Sequence, residues 1–247
     1  MSSQNRETIH AILIADSRAS NFPSLDTDKH YTYVPHYISI PGAKITNLLS
    51  QSLEEIEQIP KENTKLLIKI AAGINDLTVK RNNGHGYELA PSSTTTRAVL
   101  NRLLNIKEEI KKKRPDAIIS FVTIPPINFY QQLRFWVDKK RLQKPIYDYT
   151  KRKTFQTAHE ITIADINKNI NSLNHRKQHG VTCQTASWHT EVLKTQKGKT
   201  KLIACSLYDG VHGTIEVKKK WHAKFHQAIQ KEIKQIQDLG NNNNQQQ

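Results

Sequence analysis

The first strongly patterned stretch, Ala11-Ile12-Leu13-Ile14-Ala15, is a short aliphatic run that stops abruptly at Asp16-Ser17-Arg18, an acid, a hydroxyl and a base. A strand buried on both faces reads as such a run, and the polar residues that end it arrive at a sheet edge. Tyr31 to Ile40 alternates β-formers with polar residues and predicts a second strand, broken by Pro41-Gly42. Ile45, Leu48, Leu49, Leu53, Ile56 and Ile59 follow at helical spacing as far as Pro60. Lys65 to Ala71, with Leu66, Leu67, Ile68 and Ile70, predicts a third strand covered on both faces, and it ends in Ala72-Gly73-Ile74-Asn75-Asp76.

Asn82 to Gly86 is turn-rich, and beyond it Ser92 or Ser93 is placed to cap a helix through Val99, Leu103, Leu104, Ile106 and Ile110. Its basic end, Lys111-Lys112-Lys113-Arg114, suits the helix dipole, and Pro115 stops it. Ala117 to Ile124 predicts a fourth strand, closed by Pro125-Pro126. An aromatic and basic stretch from Asn128 to Lys153 comes next, then a helix expected over Thr157 to Gln178 with Ile161, Ile163, Ile166, Ile170 and Leu173 on its apolar side. Val181 to Trp188 alternates as a fifth strand, and Gln196 to Thr200 reads as a loop. Leu207 to His212 opens a last helix carrying Val217, Trp221, Phe225, Ile229, Ile233 and Ile236. Strands alternating with helices predict an α/β fold whose parallel sheet is covered on both faces and binds ligands outside the carboxyl ends of its strands. One domain over residues 1–240 of the 247 accommodates these elements, leaving the Asn/Gln-rich 241–247 as a disordered tail.

Composition adds a partner class. Thirty-seven Lys and Arg against 22 Asp and Glu leave a formal charge of +15, a surplus that attracts polyanions. A nucleic acid or an anionic substrate therefore stands beside the plainer reading of a solvated, lysine-rich surface. Arg134, Lys139, Lys140, Arg141, Lys144, Lys151, Arg152 and Lys153 are interleaved with Phe135, Trp136, Tyr147 and Tyr149. We read residues 128–153 as a lid insertion that selects substrate, with a single-stranded nucleic-acid surface as the alternative.

Two cysteines without a Cys-x-x-Cys pair suggest neither a disulfide framework nor a zinc site, and fit a reducing compartment. The polar N-terminus lacks a signal peptide's apolar core, and no apolar run approaches the roughly 20 residues that span a bilayer. A soluble, intracellular protein of cytoplasm or nucleus is expected. His175 and His179, and again His222 and His226, lie four apart on predicted helices, a spacing that can present two metal ligands on one face. Neither pair carries the glutamate of a metalloprotease motif and no third ligand is evident, so both are read as surface histidines and no metal is expected. The loop around His85 lacks a Gly-Lys-Ser/Thr ending, and no nucleotide is expected there.

The polar residues that interrupt the pattern share one edge. Ser17 follows the first strand, Gly42 the second and Asn75 the third, while Asp209 and His212 precede the last helix. Singly they read as a helix cap, a turn, an Asx-turn and another cap. Together and in this order they resemble the conserved blocks of the SGNH (GDSL-like) hydrolase superfamily: Asp16-Ser17 the nucleophile block, Gly42 the glycine block, Gly73-Ile74-Asn75-Asp76 the third and Asp209-Gly210-Val211-His212 the fourth.

The resemblance implies a three-layer αβα sandwich around a flavodoxin-like, five-stranded parallel sheet, and an ester hydrolase that uses no cofactor. Ser17 would be the nucleophile, His212 its base and Asp209 the group that orients the imidazole. The backbone N–H groups of Ser17 and Gly42 and the side-chain amide of Asn75 would form the oxyanion hole. Asp16, Gly73 and Asp76 would shape the loops. Two residues depart from the family pattern. Ala15 replaces a glycine, which is tolerated unless the position needs a positive φ. Arg18 replaces an apolar residue, and either contacts an anionic substrate or pairs with an acid of the protein. A small O-acyl ester of the acetyl type is the expected substrate. An acyltransferase with the same triad, or a nucleic-acid-binding module on the same fold, are the alternatives.

Overall fold

Alternation along two central strands sets the layers. In β1 (Thr8–Asp16), Ile12 and Ile14 face one way and Ala11, Leu13 and Ala15 the other, all of them buried. The structure, a computed structural model, describes residues 7–26, 30–82, 87–140, 149–196, 199–203 and 206–244. After β1 come β2 (Val34–Ile40), α1 (Ile45–Glu57), β3 (Thr64–Ala71), the hairpin strands β4 (Thr78–Asn82) and β5 (Tyr87–Pro91), and α2 (Thr96–Lys113). They are followed by β6 (Ile118–Phe121), α3 (Phe129–Lys140), α4 (Tyr149–Asn174), the short pair β7 (Lys177–Gln178) and β8 (Val181–Thr182), the pair β9 (Leu193–Gln196) and β10 (Lys199–Leu202), and α5 (Ile215–Asn244). The main sheet runs β2-β1-β3-β6, parallel throughout. One face packs Leu66, Ile68 and Ile70 against α1, α2 and α4. The other packs Leu67 and Ala71 against Trp221, Phe225 and Ile229 of α5. An αβα sandwich results.

The sheet has four strands among the described residues, not the five expected, because side-chain amides occupy the free edge of β6. Gln178 exchanges bonds with Ile119 (3.1 and 2.6 Å), Asn174 with Phe121 (2.9 and 2.7 Å) and Asn167 with Ile124 (2.7 and 2.9 Å). Gln156 then bridges Ile127 and Phe129. A carboxamide offers a donor and an acceptor in one plane, as a peptide does, so a row of them from α4 and β7 covers an edge that would otherwise template aggregation. Among the described residues, 181–182 accordingly form a ladder only with 177–178.

Other boundaries shift for local reasons. Thr95, not Ser92 or Ser93, caps α2, accepting a bond from the Ala98 N–H, while the Ser92 hydroxyl is turned to the Asp76 carbonyl. The stretch read as a lid, residues 128–153, contains α3 and the early turns of α4 on either side of residues 141–148, which lie outside the described residues. Phe129 and Leu133 of α3 and Arg152 of α4 are buried, whereas Arg134 and Lys153 are exposed. The side chains of Trp136, Lys139, Lys140, Tyr149 and Lys151 lie outside the description, as do Arg141, Lys144 and Tyr147. Ile161, placed on the apolar side by spacing, is 66% exposed. The expected turn at 83–86 lies outside the described residues, between β4 and β5, and α5 continues through 241–244 of the expected tail, with 245–247 outside the described residues. No helix among the described residues is long and apolar enough to cross a membrane.

Lys69 interrupts the aliphatic run of β3 yet is fully buried. Its Nζ donates to Ser120 Oγ at 2.7 Å and to the Gln184 carbonyl at 2.8 Å, and it pairs with the buried Glu232 of α5. Removing one member strands a charge in the core, so Glu232→Ala is expected to cost about 3–5 kcal/mol of unfolding free energy in urea titration. The double change Lys69→Met with Glu232→Leu should recover most of that loss.

Candidate active site

Strand register brings the first three segments together. Asp16 pairs with Ile40 across β1–β2 and Ala15 with Ala71 across β1–β3, so Ser17, Pro41-Gly42 and Ala72-Gly73 leave the sheet at one edge. Asp16 is buried and caps the 3-10 turn Ser17–Ala19, its Oδ1 accepting from the Arg18 N–H at 3.0 Å. Ser39 Oγ donates to the Asp16 carbonyl at 2.8 Å, which ties the ends of β1 and β2. Gly42 turns the chain at φ +71°, and the Asn75 amide donates to the next carbonyl, Ala43, at 2.9 Å. Gly73 adopts φ +125°, and a Cβ there would lie 2.7 Å from Ile124 Cδ1. Asp76 is buried as well. Its Oδ2 accepts from the Ile45 N–H at the start of α1 (3.0 Å) and its Oδ1 pairs with Arg102 (2.6 Å). Asp16, Gly73 and Asp76 thus sit where they hold turns.

The fourth segment forms its own small loop. Leu207 and Gly213 form a bridge, and the Tyr208 N–H donates to the His212 carbonyl at 2.9 Å. Inside this loop Asp209 Oδ1 accepts from the N–H groups of Val211 (2.9 Å) and His212 (2.7 Å), and Oδ2 lies 2.7 Å from His212 Nδ1. His212 Nε2 lies 2.8 Å from Ser17 Oγ. An ionised carboxylate only accepts, so the ring hydrogen belongs on Nδ1 and Nε2 presents its lone pair to the Ser17 hydroxyl. Burial alone would raise the Asp209 pKa, but the bonds from the His212 ring and from the backbone outweigh it and hold the carboxyl below its ordinary value.

Helix α3 braces the loop. The Asn128 N–H donates to the Gly210 carbonyl at 2.8 Å, and the Gln131 amide donates to the Leu207 carbonyl. Gly210 has φ +80°, and a Cβ there would lie 2.4 Å from both Asn128 O and Gln132 N. Tyr208 stacks on the His212 ring at 5.8 Å and Phe135 of α3 packs edge-on against Tyr208. Nothing in local sequence marks Asn128, Gln131 or Arg102 as supports, since each acts across the fold. Tyr208 was discoverable only as the neighbour of Asp209.

Arg18 requires a correction. It is 4% exposed and turned inward, its guanidinium 3.3 Å from Asp16 Oδ2, so of the two expected roles the protein acid takes it and a substrate does not. Ala15 lies in β1 with strand geometry, and its methyl is accommodated. His175 and His179 are exposed as expected, but His222 and His226 are buried, because their face of α5 is covered by the loop that follows Ser17 and by β2.

No family model matches the chain, and no curated protein is similar to it in sequence. Solved structures do share its fold. A GDSL-like lipase from Bacteroides thetaiotaomicron superposes with a TM-score of 0.57 at 16% identity, over 91% of this chain and 89% of that one. A carbohydrate esterase of family 3 from Talaromyces cellulolyticus gives 0.53 at 11%, over 94% and 99%. An acetyl xylan esterase gives 0.53 at 14%, over 89% and 99%. The chain therefore has the fold of the SGNH hydrolases.

Two glycines distinguish conformation from space. At Gly42 nothing lies within 4 Å of an added Cβ, so Gly42→Ala should cost only the left-handed backbone term, about 1–2 kcal/mol. Gly210→Ala adds a collision with backbone atoms and should cost more, as read by urea denaturation. Asp209, with its depressed pKa, contributes stability above the ordinary carboxylate range of about pH 4, and that contribution is lost as pH falls through its folded-state value. Asp209→Asn should flatten this acid limb in a pH series of unfolding free energies.

Proposed function

We propose that the chain is a serine ester hydrolase that removes a small O-acyl group, acetyl being the simplest case. The observation that carries the reading is the continuous relay from Ser17 Oγ to His212 Nε2 at 2.8 Å and from His212 Nδ1 to Asp209 Oδ2 at 2.7 Å. Ser17 Oγ attacks the acyl carbon as His212 Nε2 takes its proton, and Asp209 stabilises the imidazolium that forms. The carbonyl oxygen gains negative charge. The backbone N–H groups of Ser17 and Gly42, with the second hydrogen of Asn75 Nδ2, are the donors assigned to it. Collapse of the tetrahedral intermediate breaks the ester bond, and His212 returns the proton to the departing alcohol. A water molecule, deprotonated by His212, then attacks the acyl-serine, and the acid leaves as Ser17 regains its hydrogen.

The acyl preference rests on the shared fold with enzymes named as a carbohydrate esterase and an acetyl xylan esterase. Tyr208, stacked on His212, with Phe135 edge-on against it, supplies an apolar wall on α3's side of the site. The purified chain is expected to hydrolyse p-nitrophenyl acetate, and a fluorophosphonate probe should label Ser17. Ser17→Ala should abolish both. Asp209→Asn should lower kcat about 10⁴-fold, and Asn75→Ala about 10²–10³-fold. A folded chain that shows neither turnover nor labelling overturns the proposal.

A further inference from the structure

Three segments that belong to no step of the proposed reaction meet on the opposite side of β1 and β2 from α1. Histidines four apart on a helix lie one above the other, so His222 and His226 share a face of α5. The chain leaving Ser17 passes Phe22 and a 3-10 turn, Pro23–Leu25, to reach Asp26. Tyr37 comes from β2. Their polar atoms converge. His222 Nε2 lies 2.9 Å from His226 Nε2, and Asp26 Oδ1 lies 2.8 Å from the first and 3.6 Å from the second. Tyr37 Oη lies 3.1 Å from His222 Nε2 and 2.9 Å from His226 Nε2, and it donates to Asp26 Oδ2.

We propose that His222 Nε2, His226 Nε2 and Asp26 Oδ1 bind one divalent transition-metal ion of the zinc class, with the Tyr37 hydroxyl at the fourth corner. The proposal does not depend on the hydrolase reading. Tetrahedral zinc with bonds of 2.0–2.1 Å needs donors about 3.3 Å apart. The separations of 2.8, 2.9 and 3.6 Å straddle that value, so the ion is admitted by movements of a few tenths of an ångström. Hydrogen counting points the same way. Between two Nε2 atoms at 2.9 Å there is room for at most one hydrogen, and the Tyr37 hydrogen is already given to Asp26. A cation lets both nitrogens present lone pairs to one centre.

The surroundings hold the donors in that pose. Tyr31 donates to Asp26 Oδ1 at 2.7 Å, and the Tyr33 hydroxyl meets His226 Nδ1, the partner that orients a ligating imidazole from behind. Tyr31 stacks on His226 at 4.2 Å and Phe22 packs edge-on against His222 at 5.2 Å. Two imidazoles and one carboxylate suit zinc or its neighbours. They offer too few oxygens for calcium and no thiolate for a softer ion. Because the ligands come from the segment after Ser17 and from the helix after His212, the ion would fasten both chain segments that carry the relay.

The test uses the full chain, stripped with a chelator and titrated with Zn²⁺ alone by calorimetry, and separately loaded with Co²⁺. One Zn²⁺ per chain, the intense visible absorption of tetrahedral Co²⁺ and a higher Tm with Zn²⁺ are expected. His222→Gln or His226→Gln should weaken Zn²⁺ binding more than about 100-fold, and Tyr33→Phe about 10-fold, in the range of an outer hydrogen-bond partner. His175→Gln with His179→Gln should leave the stoichiometry and affinity unchanged. The wild-type Co²⁺ spectrum keeps the proposal exposed even if a variant fails to fold. Absence of stoichiometric Zn²⁺ binding, a six-coordinate Co²⁺ spectrum, or undiminished binding in the folded His222→Gln and His226→Gln variants would each overturn it.

Discussion

The register of three parallel strands is the constraint on which the rest of the molecule depends. Backbone hydrogen bonds set Asp16 opposite Ile40 and Ala15 opposite Ala71, and a slip of one residue would move every apolar side chain of β1 to the wrong face. Burial on both faces makes such a slip prohibitive, so the strand ends are fixed with the precision of the ladder. Three turns then begin side by side, and the bonds from Ser39 to Asp16, Asn75 to Ala43 and Ile45 to Asp76 lock them to one another. Only after that can a side chain 195 residues further on meet Ser17 at hydrogen-bonding distance. Its loop is held from within by Asp209 and from without by α3, and Gly210 fits between the two because it has no Cβ.

A second theme is the use of buried polar groups where apolar ones would have been simpler. The amides of Asn174 and Gln178 cover the edge of β6, those of Asn167 and Gln156 hold the chain that continues from it, and Lys69 with Glu232 joins the sheet to α5. These contacts are directional. An apolar surface would let α4 or α5 slide along the sheet at little cost, whereas each amide or ion pair is satisfied at one position only. Arg18, paired with Asp16 in the turn that carries Ser17, is a further buried ion pair. The helices that frame the candidate site are therefore placed as firmly along the strands as across them.

The histidine and tyrosine cluster lies at the join between those two systems. Asp26 follows the Ser17 turn, and His222 and His226 follow His212 by ten and fourteen residues. Whatever tightens that cluster tightens both chain segments that bring Ser17 and His212 together, without touching either side chain.

The sequence by itself determined the α/β class, the central strands, the two-sided burial of β1 and β3, and the polar residues that the structure gathers at one edge. These were legible because period-2 and period-3.6 patterns report which face of an element is buried, and because Ser17, Gly42, Asn75 and the Asp209–His212 pair interrupt those patterns where elements end. Tertiary structure alone decided the rest. Alternation at 181–188 could not reveal that the amides of Asn174 and Gln178 already occupied the edge that a fifth strand would need. Spacing placed Ile161 on a buried face, but burial depends on what lies opposite, and there it is 66% exposed. The same limit hid His222 and His226, whose spacing defined a shared face while the cover over it came from Asp26 and Tyr37, nearly two hundred residues away in the chain. Arg18 stood undecided between substrate and protein until Asp16, its neighbour but one, was seen to take its charge. Periodicity is a property of one element, and the partner of a polar group is a property of two.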